Sequence, residues 1–498
     1  MEIASEVVLA KTSVGCLPVL RLLELPARWA ADAFAFCRGP LRMLAVGVLV
    51  LPIVAGCASF RSYQTEIGRT LDLVAVGRID SAIKAHRGQT HYGEDLLYYL
   101  EQGELLRLGG RYAESQTAWF EADRRFRKWE EQARVDPEML ARDVGSLLVS
   151  DRLRAYTGHD FEKVMLTTRM ALNHLSLGEW DQARVAIKRS HEREALIARL
   201  RAEQVRRAEE SAGEKDEAPD FRELNGYPVR TIDNPEVNAL RNSYQNAFSH
   251  YLAGFVYEAL GEISLAAAGY RQAIELQPGL ALLEEGLAGL DMRHFRRSRS
   301  VTEADGTTDL LLVIETGLAP ARASVNINLP VPTDQGLLLA PVSFPVIREQ
   351  RLVSGSSAVS TDEGMPTEAS TVTSVDLMSR RALQDEMPWI MVRAVARATA
   401  KASIQRVAFK KDDSNIAGTV VLIGSVLTER ADERGWRSLP ARIGLARFRL
   451  AHGTHDVDVA VGSQKHRFSV SLDGPFAVMS VRQVGTAAYM SLSPGPGA

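Results

Sequence analysis

Apolar residues recur at intervals of three and four from about residue 65 to residue 294. This spacing places them on one face of a helix, whereas a half-buried strand needs alternation at every second residue. Glycines punctuate the pattern: Gly77 and Gly110 are 33 residues apart, and Gly110 and Gly178 are 68 residues apart. These distances are close to one and two repeats of about 34 residues, so the pattern predicts an array of helical hairpins.

Small and large residues follow the order of a tetratricopeptide repeat, in which small residues lie where two helices cross and large ones fill the groove between them. The clearest copy contains Gly254, Tyr257, Gly261, Ile263, Ala266, Tyr270, Ala273 and Pro278. Two further copies contain Gly103, Gly110, Tyr112, Ser115, Trp119 and Ala122, and then Ala171, Gly178, Trp180, Ala183 and Ile187. We predict that these are packing residues and not a ligand site. An ordinary helical bundle in which such turns recur by chance is the alternative.

After residue 295 the pattern changes to short runs rich in β-branched residues and bounded by Gly and Pro, which predict strands. The runs cover residues 310–314, 323–329, 337–340, 418–423, 441–450, 455–461 and 467–472. Ser, Thr and Gly dominate residues 351–374, which predicts a loop or an edge hairpin. In the run at 441–450, Ile443 and Leu445 with Arg447 and Arg449 suggest a strand with one face in water.

One helical region interrupts these strands. It is predicted to begin near Val375 and to be kinked or restarted at Pro388, because proline lacks the donor needed inside a helix. Arg393, Arg397 and Lys401 recur every four residues and predict a solvated basic stripe, with contact to an acidic partner or an anionic surface as the alternative.

These patterns predict an α+β fold class. An N-terminal all-α tetratricopeptide-like helical solenoid at residues 57–295 would be followed by a smaller, mainly antiparallel β domain with a helix pair at residues 296–498. Residues 1–56 would be a signal region. Residues 1–42 fit such a signal poorly, and a true translation start downstream would explain them.

A basic and apolar segment precedes Cys57. Arg38 and Arg42 come before an apolar run at residues 43–56. As a helix this run rises about 21 Å, which is short of a hydrocarbon core of about 30 Å, so a secretory signal is favoured over a membrane span. The run ends in Val54, Ala55 and Gly56 before the cysteine, the pattern of a bacterial lipobox.

The lipobox predicts that Cys57 carries a lipid and becomes the first residue of the mature chain. Several acyl chains give stable anchoring where one does not. Ala58 and Ser59 follow the cysteine, without the aspartate associated with retention in the inner membrane, so we expect the periplasmic face of the outer membrane. The alternative is a buried cysteine at the end of an ordinary apolar helix.

Composition narrows the classes of function. The formal charge is -3, which gives no basic field for nucleic acid, and 46% hydrophobic residues allow sizeable cores. The cysteines are Cys16, Cys37 and Cys57 alone, which gives neither zinc-ligand spacing nor a disulfide framework. We predict no metal site and no cofactor.

Candidate chemistry is sparse, because the sequence lacks the motifs of serine hydrolases, phosphate-binding loops and zinc peptidases. His452 and His455 flank what we interpret as a hairpin turn at Gly453 and Thr454. His159, Asp160 and Glu162 could form an acid/base group, but carboxylates in the first turn of a helix are explained more simply by capping.

One charged segment stands out as a candidate interaction loop, with Asp432, Arg434 and Trp436 as its singular residues. An exposed tryptophan there would contact a peptide or glycan. The alternative is structural, with the Asp and Arg fixing a loop beside a packed Trp.

Five stretches carry a family resemblance: residues 156–165, 171–178, 248–261, 315–320 and 431–440. Together they resemble a family of uncharacterised Gram-negative bacterial lipoproteins with tetratricopeptide repeats, over roughly residues 57–461. The resemblance implies a periplasmic scaffold without an assigned reaction. The long Arg- and Glu-rich insertion at residues 198–217 departs from the repeat pattern.

We therefore expect a non-enzymatic, membrane-anchored scaffold that binds protein partners in cell-envelope assembly, since helical repeats present extended surfaces. The alternatives are a peptidoglycan-binding or cell-wall-modifying factor, and a lipid-anchored component of an export apparatus.

Overall fold

The computed structural model describes residues 63–88, 95–135, 155–212, 220–299, 306–333, 336–350, 357–362, 366–411 and 430–496. Ser62–Ala498 form one compact unit. Cys57 and the strand predicted at residues 418–423 lie outside the described residues.

The helices in chain order are α1 (Tyr63–Ala75), α2 (Ile79–Arg87), α3 (Leu96–Leu108), α4 (Tyr112–Val135), α5 (Asp160–Ser176), α6 (Trp180–Ala212), α7 (Pro235–Asn238), α8 (Ala247–Ala259), α9 (Ile263–Leu276), α10 (Ala281–Ala288), α11 (Leu290–Arg299) and α12 (Val375–Lys411). Eight of them pair as the hairpins α1/α2, α3/α4, α5/α6 and α8/α9.

None of the described helices has both the length and the apolar character required to cross a membrane.

The turn of each hairpin contains a glycine with positive φ, between 70° and 80°, at Gly77, Gly110, Gly178 and Gly261. A side chain at such a position would be strained, which explains the regular glycines of the sequence.

In two of the hairpins, the helices cross where a glycine on the first helix contacts an aromatic ring on the second. Gly254 on α8 lies under the ring of Tyr270 on α9, and a Cβ at Gly254 would sit 2.7 Å from that ring. Gly103 on α3 lies under Trp119 on α4 in the same way. Ala183, Ala266, Ala273, Trp180 and Tyr257 are buried, whereas Tyr112 is partly exposed and Pro278 is exposed beyond the end of α9.

The strands are β1 (Thr307–Thr316), β2 (Arg322–Thr333), β3 (Gly336–Ile347), β4 (Ser357–Thr361), β5 (Thr367–Ser374), β6 (Arg442–Ala451), β7 (Gly453–Val461), β8 (Gln464–Leu472), β9 (Phe476–Val484) and β10 (Ala487–Leu492). Eight form one sheet in the order β10-β9-β1-β6-β5-β4-β7-β8, while β2 and β3 form a separate antiparallel pair. The large sheet is mixed, because β1 runs parallel to β9 and antiparallel to β6. Its edge strands β8 and β10 approach each other, so the sheet is nearly closed.

Both faces of β1 are buried, in different cores. Leu310 and Leu312 point into the interior of the curled sheet, where they meet valines of β7 and Met479 of β9. Leu311 and Val313 point outward and share one core with the helices. On that outer face Phe476 of β9 meets Phe255 of α8 edge to face, with 5.4 Å between the ring centroids.

A further core lies between α12 and the β2–β3 pair. Leu383, Met387 and Ile390 of α12 pack there against Phe344 of β3 and against Tyr227. Residues on both sides of Pro388 are buried in this core. Their packing stabilises a helix that continues across the proline. The prediction that a second helix starts at Pro388 is wrong, because α12 is one continuous helix of 37 residues. A kink at Pro388 stays a prediction.

The predicted fold class is therefore corrected. The helices are not a solenoid followed by a smaller, mainly antiparallel domain with a helix pair, since a large mixed sheet packs against them through a shared core. The sequence pattern predicts neither β9 nor β10. Strand β9 is buried at every position, so it lacks the alternation of a half-buried strand, and it supplies the parallel pairing. Residues 357–361 and 367–374 form β4 and β5, which lie inside the sheet and not in a loop or at an edge.

Three interpretations of individual residues also change. Arg397 is only 3% exposed, so the predicted solvated stripe on α12 is wrong at that position. Ile443 and Arg447 lie on the same face of β6, and the Arg447 side chain is only 10% exposed and pairs with Glu258 and Asp309, whereas Arg449 is exposed as predicted. Gly453 belongs to β7, which pairs with β8 and not with β6.

Gly254→Ala should destabilise the protein by about 1 to 3 kcal/mol, because the added methyl would overlap the Tyr270 ring. Gly68→Ala is the matched control: it lies within α1, nothing lies within 4 Å of its Cβ position, and alanine favours a helix by about 1 kcal/mol. Denaturant unfolding of both variants measures the difference. Equal stabilities would contradict the close crossing of α8 and α9.

Candidate functional site

The segment at residues 431–440, here called the central loop, forms hydrogen bonds with distant parts of the chain. It precedes β6 and lies against α1, α3 and α5 on one side and the ends of β1 and β9 on the other. Trp436 is 1% exposed, and its ring meets that of Trp119 at 68°, with centroids 6.1 Å apart. Its indole N–H donates to the Ser438 hydroxyl at 3.0 Å. Trp436 is thus a core residue.

Glu162, in the first turn of α5, binds the central loop at Trp436. Its Oε1 accepts the Trp436 backbone N–H at 2.7 Å, and its Oε2 accepts the His159 backbone N–H at 2.9 Å and the Tyr156 hydroxyl. Glu162 therefore caps its own helix, as a carboxylate at N3 does, and binds the central loop at the same time.

Glu101, on α3, binds the next two residues of the central loop, Arg437 and Ser438. Its Oε1 accepts the Arg437 backbone N–H and the Tyr63 hydroxyl, each at 2.6 Å, and its Oε2 accepts the Ser438 backbone N–H at 3.1 Å. Burial raises the pKa of Glu101 to about 7, although these hydrogen bonds oppose the shift. Its carboxyl group therefore changes charge near neutral pH.

The sheet holds the central loop from the opposite side. Arg482 of β9 donates from Nη2 to the Ser438 carbonyl oxygen at 2.8 Å. The Ala319 backbone N–H, just after β1, donates to the Leu439 carbonyl oxygen at 2.7 Å. Burial lowers the pKa of Arg482 to about 10, with Glu315 opposing that shift. The loop is therefore fixed to both layers of the molecule.

A buried ion cluster lies next to the loop. Arg169 of α5 bonds to Glu104 of α3 through Nε at 3.0 Å and to Glu315 of β1 through Nη1. All three side chains are buried. Burial would lower the pKa of Arg169, but Glu104 and Glu315 outweigh it and raise the pKa. Removing one partner of such a buried pair is strongly destabilising, because a charge is left uncompensated.

The candidate acid/base group at the start of α5 is tied into ion pairs. His159 Nδ1 lies 2.9 Å from Glu386 Oε1 on α12, and Arg322 of β2 donates to Glu386 Oε2 at 3.1 Å. Burial would raise the pKa of Glu386, but Arg322 and then His159 hold it well below its usual range. Asp160 pairs with Lys163 at 2.9 Å and has no bond to His159 among those of the described residues.

The predicted exposed interaction loop is corrected by this geometry. Arg434 Nη2 pairs with Asp432 Oδ2 at 2.7 Å, and its guanidinium lies over the Tyr156 ring at 5.3 Å. This pair fixes the loop beside a packed Trp436, which matches the structural alternative. A tryptophan this deeply buried offers no surface to a partner.

Sequence reasoning singled out Glu162 as a helix cap but missed its bond to the central loop, and it missed Glu101 and the carboxylates of the ion cluster. Glu101 and Glu104 stand in a helix made mostly of leucine and tyrosine, and Glu315 ends an apolar strand. A charged residue inside an apolar run was the available signal, because buried charges need partners. The partners themselves come from distant parts of the chain.

Within the described ranges, no group of three or more His, Cys, Asp or Glu side chains is placed to hold a metal ion. No protein-family model and no curated protein matches the chain.

Trp436→Ala should cost about 3 to 5 kcal/mol of folding free energy, because it leaves a cavity between helices and sheet. The matched control is Trp389→Ala on α12, whose side chain is 37% exposed and should cost less than about 1 kcal/mol. Denaturant unfolding of the two variants tests this. A Trp436 variant as stable as the control would contradict the buried position of the central loop.

Proposed function

We propose that the protein is a lipoprotein anchored through Cys57 to the periplasmic face of the outer membrane, and that it binds a protein partner in cell-envelope assembly without catalysing a reaction. The observation that carries the anchor is the sequence Val54, Ala55, Gly56 and Cys57 at the end of a short apolar run behind two arginines. Helix α1 begins at Tyr63, six residues after Cys57 in the sequence.

The binding function is supported by the internal contacts of the polar side chains that would otherwise be candidates for catalysis. Glu101 and Glu162 bind backbone N–H groups, and Glu386 binds Arg322 and His159 Nδ1. Such contacts build a rigid body. Apolar side chains remain on its outside: Phe120 on α4, Val185 on α6 and Leu265 on α9, each on the second helix of a hairpin and nearly half-exposed. We propose that they contribute to the partner surface.

Cys57→Ser should abolish acylation, because a serine hydroxyl does not replace the thiol that accepts the diacylglyceryl group. Metabolic labelling with radioactive palmitate should mark the wild-type chain and leave the variant unlabelled and released from membranes. Cys16→Ser with Cys37→Ser is the matched control and should keep the label. Label that persists on the Cys57 variant would overturn the anchor.

The triple variant Phe120→Ser, Val185→Ser and Leu265→Ser should lose its partner, because the apolar contacts between the two proteins would be removed. The measurement is affinity purification of the full chain from solubilised membranes after crosslinking. Leu339→Ser, an exposed apolar residue on β3, is the control and should keep the partner. Binding of purified chain to peptidoglycan without any protein partner would favour the cell-wall alternative and contradict the proposal.

A further inference from the structure

The Tyr63 hydroxyl lies between two acceptors that belong to different parts of the chain. Glu101 Oε1 on α3 is 2.6 Å away, and the Gly435 carbonyl oxygen of the central loop is 3.1 Å away. A tyrosine hydroxyl has one proton to donate, so it donates fully to only one of the two at a time. Which of them receives it depends on Glu101.

An ionised Glu101 can only accept hydrogen bonds. Its oxygens then accept the Arg437 and Ser438 backbone N–H groups and the Tyr63 hydroxyl, and the loop amides gain charge-assisted bonds. A protonated Glu101 must also donate. The two loop amides are donors and cannot accept. The acceptors in reach of the carboxyl group are the Tyr63 oxygen and the Ser438 hydroxyl oxygen, and the latter already accepts the Trp436 indole N–H. Donation to the Tyr63 oxygen turns the Tyr63 proton to Gly435.

We propose that Glu101, Tyr63 and Gly435 form a proton-controlled switch with two hydrogen-bond arrangements. In the ionised arrangement, α3 holds the central loop through Glu101. In the protonated arrangement, a proton taken up from solvent weakens that hold, and α1 binds the loop through Tyr63. Acidification thus moves the attachment of the loop from α3 toward α1. The switch does not depend on lipidation of Cys57.

The surroundings place this change near neutral pH. Burial raises the pKa of Glu101 to about 7. Burial also raises the pKa of Tyr63 well above its ordinary value, so its hydroxyl keeps its proton over this range. The charged and titratable neighbours include Arg437 on the loop and Arg482 of β9, which binds the Ser438 carbonyl oxygen. Tyr156 lies before α5, Arg348 lies beside Arg437, and His159 and Glu162 lie on the far side of Trp436.

Glutamine at position 101 supplies a matched variant. Its oxygen accepts and its amide N–H₂ group only donates, and it carries no titratable proton. Glu101→Gln should therefore remove the titration at position 101 and keep the central loop in one hydrogen-bond arrangement at every pH. Tyr63→Phe removes the hydroxyl that connects Glu101 to Gly435, and it also removes a hydrogen bond that lowers the pKa of Glu101.

The test is nuclear magnetic resonance of the isotope-labelled full chain between about pH 5 and about pH 9, a range that brackets ordinary histidine and this carboxyl group. In the wild type, the Gly435 carbonyl carbon and the Arg437 and Ser438 amides should shift together with one midpoint near pH 7. In Glu101→Gln, all three signals should stay constant over this range of pH.

Tyr63→Phe separates the switch from simple titration of a buried carboxyl group. In this variant the Arg437 and Ser438 amides should still titrate, with a midpoint at higher pH, while the Gly435 carbonyl carbon no longer moves. A Gly435 signal that is constant in the wild type, or that titrates unchanged in Tyr63→Phe, would overturn the proposal. So would titration of all three signals in Glu101→Gln, which would assign the change to His159 or another group.

Discussion

Two buried carboxylates, Glu101 and Glu162, obtain their hydrogen-bond donors from the backbone of one loop. A carboxylate removed from water is very costly unless donors surround it, and the N–H groups of Trp436, Arg437 and Ser438 supply them. The need is mutual, because those buried N–H groups also require acceptors. The helices and the sheet are thereby joined through main-chain groups that no side-chain substitution in the loop removes.

The ion cluster around Arg169 also joins the helices to the sheet through buried charged groups. Arg169 joins α5, α3 and β1, while Arg107 of α3 donates to Ser480 of β9 at 3.1 Å. Charges buried in this way give little net stability when complete and a large penalty when incomplete. They favour one arrangement of helices against sheet over any shifted one. The proposed binding function would use such a fixed arrangement of helices, with apolar side chains exposed on it.

The sequence predicts the local parts of this structure better than their assembly. The glycines at the hairpin turns and the small residue opposite each aromatic ring follow a period that can be read from neighbouring residues. The mixed sheet could not be predicted in that way, since β9 pairs with β1 from more than 150 residues away. The central loop was noticed for its charges and its tryptophan. Its burial was missed because the groups that bind it, Glu101 and Glu162, lie on helices far back in the chain.

Hydrogen exchange of the Trp436, Arg437 and Ser438 amides tests most directly whether the loop is part of the molecule's rigid core. The structure predicts that these amides exchange only when the whole unit unfolds, with the same opening free energy as the amides of Leu311 and Val313 in β1. An opening free energy lower than that of β1 by about 2 kcal/mol or more would show that the loop opens on its own, and would contradict this account.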